Sequence, residues 1–138
     1  MHKKRSQTAI EFLTIFGFAF LMIIPVVIIF QTQTVDTKDA LASNQIRNIE
    51  IKIVDKAEAM YYFGAPSKTT LRVYFPENIE EVEINNRIIL FRYRAAENTL
   101  QEVVHTSLVN LTGTLSAESG LHIIEIEALG DSVSIADA

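Results

Sequence analysis

The sequence predicts an α+β protein: a long N-terminal α-helix, transmembrane in its first half and amphipathic in its second, followed by a small antiparallel β-sandwich-like head. Three observations carry this reading. Residues 12–30 contain no charged side chain. Beyond them, apolar residues recur at helical spacing as far as Met60. From Lys68 onward the pattern changes to short alternating runs separated by turn residues.

The chain has 138 residues, enough for one domain plus an accessory segment. Its 49 % hydrophobic content is unevenly spread. Residues 1–30 carry Lys3, Lys4 and Arg5 against a single acid, Glu11. Residues 67–138 hold five basic and eleven acidic groups, so the head is strongly acidic. With no basic stripe to meet a phosphate backbone, nucleic acid is not expected as a partner. The absence of cysteine excludes disulfides, thiol catalysis and cysteine-based metal sites.

The run FLTIFGFAFLMIIPVVIIF at 12–30 would span roughly 28 Å as a helix, close to the hydrocarbon thickness of a bilayer. Thr14, Gly17 and Pro25 interrupt it, and a spanning helix tolerates all three. Pro25 lies deep enough to free a backbone carbonyl and is the expected kink. Three cations precede the span, and the next basic residue is Lys38. The positive-inside bias therefore predicts a cytoplasmic N-terminus, a single pass through the cell membrane and an extracellular head. A cleaved secretory signal is the competing expectation, with small-residue spacing at Ala40-Leu41-Ala42. That site lies some ten residues past an apolar run already longer than a usual signal core. Glu11 sits at the edge of the uncharged run. A carboxylate costs about 2.5–3.5 kcal/mol at the centre of a spanning helix and less near its end. An acid there calls for a partner, or else snorkels to the headgroups near Lys3 or Lys4.

Lys3-Lys4-Arg5-Ser6 followed by Gln7-Thr8-Ala9-Ile10-Glu11-Phe12-Leu13 resembles the class III (prepilin-type) signal peptide of archaeal type IV pilin-like proteins. The likeness covers about the first thirty residues, with a basic leader, a small residue, a glutamine and an acid four positions later. Ser6 departs from the more usual glycine or alanine. The resemblance implies a prepilin peptidase cutting between Ser6 and Gln7 on the cytoplasmic side, with loss of residues 1–6. It also implies pairing of the new Gln7 amine with Glu11 of a neighbouring subunit, and other pilin subunits as partners in a filament. Such pairing offsets the desolvation of both groups only with good geometry.

Residues 31–34 are polar but contain no glycine or proline, so the helix is expected to continue, from about 8 to 62. Val35, Ala42, Ile46, Ile49, Ile53, Ala57 and Met60 form one stripe at 100° per residue. Residues 49–53 also alternate like a strand, but their flanks favour helix. Leu41 and Ile51 fall off the stripe and are candidates for contacts between subunits. Gly64-Ala65-Pro66-Ser67 reads as a helix stop and linker.

The head, 68–138, is expected to hold strands at 70–75, 80–84, 87–94, 100–105, 108–115, 121–129 and 133–135, with a tight hairpin turn at Asn85-Asn86. This spacing favours a β-sandwich or partly closed barrel. A similar tyrosine-rich Gly-Ala-Pro-Ser junction occurs in archaeal pilin-like proteins, a resemblance that bears on fold alone. Glu80, Glu81 and Glu83, and likewise Glu125 and Glu127, read as solvated strand faces. His105 and His122 read as surface or edge histidines without zinc spacing. No nucleophile, phosphate loop or metal signature points to an enzyme, and no cofactor is expected. Asn110-Leu111-Thr112 is a glycosylation sequon near an expected turn at Gly113.

The function expected is that of a pilin-like structural subunit of a type IV pilus-like surface filament, displaying its head for adhesion. The alternatives are a membrane-anchored binding module that never polymerises and an accessory envelope protein that captures an extracellular ligand.

Overall fold

The computed structural model describes the backbone of residues 2–95 and 98–138, and their side chains except those of residues 2–6 and 34–36. One helix, α1 (His2–Phe63), is followed by β1 (Lys68–Phe75), β2 (Ile79–Arg94), β3 (Leu100–Thr114), β4 (Gly120–Ala128) and β5 (Val133–Asp137). The chain divides into two units, one ending at Thr37 and the other beginning at Lys38. The long helix followed by a small β domain is therefore the observed architecture.

In the first unit, α1 passes without a break through Gly17 and Pro25. Its hydroxyls turn back onto the helix rather than competing with it. Thr14 donates to the Ile10 carbonyl at 2.8 Å and Thr32 to that of Ile29 at 2.9 Å. These bonds satisfy the two hydroxyls on the helix itself.

In the second unit, the remainder of α1 buries a broad stripe. Ile46, Ile49, Ile53, Val54 and Ala57 join the core, with Ala42, Met60 and Tyr61 packed at its border. The expected stripe is thus observed from Ala42 to Met60, while the side chain of Val35 lies outside the described residues. Leu41 is exposed and Ile51 half-buried. The helix ends as the sequence indicates. Gly64 has φ +81° and donates to the Tyr61 carbonyl at 3.0 Å, and Ser67 donates to the Gly64 carbonyl at 2.9 Å.

All five strands join one sheet in the order β1-β4-β5-β3-β2. The seven expected runs are present within them, but two pairs have merged. Strand β2 folds back on itself. Sixteen extended residues would place Asn78 and Arg94 about 50 Å apart, yet the Arg94 amide donates to the Asn78 carbonyl at 2.8 Å. The reversal centres on Asn86, at φ 53°, so Asn85-Asn86 is a turn inside one continuous extended run. Strand β3 joins the expected runs 100–105 and 108–115, with its register against β2 shifting between Asn86 and Ile88.

The pairing is not wholly antiparallel, because β5 lies parallel to β3 from Leu111↔Val133 to Thr114↔Ala136. A short turn after β4 brings β5 back antiparallel to it, and the same strand then fills the gap beside β3. The sheet is also strongly curved. A flat sheet would hold β1 and β2 about 19 Å apart. Only residues 76–78 join them, and the Phe75 and Phe91 rings meet edge to face at 5.4 Å. The core lies in this concavity, closed by α1 from Ile46 to Ala57.

Candidate functional site

The two sets of residues that bear on function lie one in each unit. In the first, every large hydrophobic side chain from Ile10 to Phe30 is at least 48 % exposed. Phe12, Phe16 and Phe20 line one side of the helix, with ring centroids 5.4 and 5.3 Å apart, the first pair stacked and the second tilted. This segment is long and apolar enough to cross a membrane. So much uncovered apolar surface requires lipid or protein around it. Glu11 is the one acid within it and lies four residues after Gln7, on the same side of the helix. Both are exposed. The side chains of Lys3, Lys4, Arg5 and Ser6 lie outside the described residues, so the expected processing site is represented here by Gln7 alone.

In the second unit, three residues matter that the sequence reading passed over. Glu50 is fully buried, and neither of its carboxylate oxygens has a hydrogen-bond partner. Burial pushes its pKa up to about 7, against smaller opposing effects of the Arg47 charge and the Phe91 main chain. The Phe91 main chain approaches the carboxyl without making a hydrogen bond to it. Its signal was positional: Glu50 is four residues from both Ile46 and Val54, at the centre of the stripe.

Glu58, two turns on, reaches the sheet. Its Oε1 accepts from the Leu108 amide at 2.9 Å and from the Ser107 hydroxyl at 3.4 Å. Ser107 in turn accepts from the Val109 amide at 3.1 Å. The helix thereby holds the irregular part of β3, where the register shift leaves main-chain donors without a strand partner.

His122 corrects the expectation of a chance surface histidine. Its side chain is only 10 % exposed, and its ring stacks on Phe75 at 4.1 Å. Nδ1 lies 2.9 Å from Asp137 Oδ1, and Nε2 lies 2.7 Å from the Glu118 carbonyl. Two acceptors facing both ring nitrogens suit the imidazolium, which donates from each. Burial works to lower its pKa, but these hydrogen bonds and the Asp137 charge outweigh burial and raise it. Alternation along β4 was the available signal, since His122 shares its face with Ile124 and Ile126. Asp137 also accepts from the Ser116 amide at 2.7 Å, so β5, β4 and the segment before β4 are tied at one point.

The remaining expected residues have ordinary surroundings. Arg92 pairs with Glu81 and Glu102, Arg94 with Glu80, and Lys68 with Glu125 at 2.6 Å. These are solvated strand faces, as expected. Asn110 is exposed on β3, so its amide is accessible. Gly113 is not a turn: it sits inside β3, opposite Ile135. A Cβ there would fall 1.9 Å from the Ile135 carbonyl oxygen, and φ is +123°. Glycine is needed for close approach of two backbones. A groove between α1 and β1 is lined by Gln45, Asn48, Lys52, Arg72 and Tyr74. Comparison with protein-family models, with curated proteins and with solved structures returned no match.

Proposed function

We propose that this chain is a pilin-like structural subunit of an archaeal type IV pilus-like surface filament. A prepilin peptidase trims it before Gln7, and it assembles through its hydrophobic N-terminal helix. The observation that carries the reading is the uncovered apolar span with Glu11 as its one acid, placed directly behind a basic leader. Before assembly the span rests in the membrane, with the head outside the cell. In the filament the same surface is covered by the helices of other subunits. Packing of small and aromatic side chains then replaces lipid contact.

Glu11 acts in this scheme as the register mark. One turn of helix separates it from the Gln7 amine that trimming would create, and a neighbouring subunit displaced along the axis brings amine and carboxylate together. A charge without such a partner resists transfer into a helical core, so misregistered subunits are disfavoured. Glu11→Gln is expected to insert and be processed normally, yet to fall about tenfold or more in sheared surface filaments. Unchanged incorporation would contradict the register role. Retention of the wild-type chain wholly in the membrane fraction, under conditions where filaments are shed, would favour an anchored binding module.

A further inference from the structure

We propose that Glu50 is a proton-operated latch: the distal part of α1 is seated on the sheet with this carboxyl neutral, and its ionisation loosens that seat. The inference is independent of whether the chain polymerises.

The geometry carries it. Glu50 occupies the middle of the buried stripe, between Ile46 and Ile49 on one side and Ile53 and Val54 on the other. It is 0 % exposed, and both of its oxygens lack a hydrogen-bond donor. A neutral carboxyl tolerates such a place far better than a carboxylate, which would be desolvated with only the Arg47 charge and the approach of the Phe91 main chain to offset the loss. The groups that act on it are few. On its own helix Arg47 supplies positive charge from the exposed side, and on β2 the Phe91 main chain approaches it; among the described residues no other charged group acts on it. No acid and base face each other across the interface here, so the proton is what makes burial tolerable.

The direction follows from linkage. Burial raises the carboxyl from 4.5 to about 7, so the folded protein keeps a proton that an opened helix releases. Stability of the helix–sheet contact is therefore full below pH 4.5, falls as pH rises, and levels off above about 7. The upper limit is roughly a 300-fold rise in the opened population, reached only if the opened state is fully solvated. Five aliphatic side chains are buried around Glu50 and are untouched by pH. Ionisation thus increases opening without making it the dominant state.

The test uses the full chain in detergent micelles. Amide hydrogen exchange at residues 46–57, corrected for the intrinsic pH dependence, is compared at pH 5 and pH 8 in the wild type and in Glu50→Gln. The expected result is an opened population at least tenfold larger at pH 8 than at pH 5 in the wild type and little pH dependence in Glu50→Gln. His122 is present in both proteins, so its own titration cancels in the comparison. If the variant fails to fold, titration of the Glu50 carboxyl carbon by NMR in the wild type decides the matter, with a midpoint near 7 expected. A midpoint near 4.5, a pH-independent opened population in the wild type, or the same pH response in Glu50→Gln would overturn the latch.

Discussion

At the scale of single residues, His122 shows how a side chain acquires a role from what lies on both sides of it. The ring is covered by Phe75, and each nitrogen faces an acceptor, one on Asp137 and one on the Glu118 main chain. Because the folded pKa is raised above 6.5, this clamp contributes fully below pH 6.5. The contribution is lost as pH rises through the folded value. NMR titration of the ring is expected to give a midpoint above 6.5 in the wild type and a lower one in Asp137→Asn. Equal midpoints would show that Asp137 does not hold the charge. The alternation of β4 puts His122 on the face of Ile124 and Ile126, which the surface reading of this histidine overlooked, and it could not name Asp137, fifteen residues away on another strand. Gly113 teaches a related lesson. A glycine in a strand signals a turn and a close approach equally well, and only the β3–β5 pairing decides between them. Glu50 defied the sequence reading for a physical reason. A carboxylate inside an aliphatic stripe is disfavoured by desolvation, so the stripe was drawn around it.

At the scale of elements, the helix was the most legible part. Its stripe repeats over five turns, and the period alone separates inward from outward positions. Ile53 is fully buried on that stripe and Leu41 is 56 % exposed off it. Ile53→Ala is expected to destabilise the second unit by about 2–5 kcal/mol, through lost burial and the cavity left behind. Leu41→Ala should change it by less than about 0.5 kcal/mol. Chemical denaturation of the full chain in micelles, followed by tyrosine fluorescence, measures both; similar costs at the two positions would refute the observed seating of the helix. The strands were legible as alternating runs, and Asn85-Asn86 as a reversal. Their joining was not. Whether a turn residue ends a strand or bends a continuous one depends on local φ values such as that of Asn86, which the residue type permits but does not dictate. The parallel placement of β5 beside β3 rests on long-range pairing, for which a five-residue strand carries no signal of its own.

At the scale of the whole molecule, the chain combines two surfaces with opposite demands. The first unit presents an almost uninterrupted apolar helix, exposed along its length and long and apolar enough to cross a membrane. The second carries an acidic head in which Arg92, Arg94 and Lys68 pair with some of the strand-face carboxylates and leave a net negative charge. The helix enters both units, so residues 38–63 belong structurally with the head and not with the span. That division follows from where the buried stripe starts, near Ala42, and not from the end of the apolar run at Phe30. The account makes processing before Gln7 the step that converts an anchored precursor into an assembly-competent subunit. N-terminal sequencing of the mature, membrane-associated protein tests this most directly. The account predicts a chain that starts at Gln7 and keeps Glu11 and the whole apolar span; a chain that starts near Ser43, with the span removed, would contradict it.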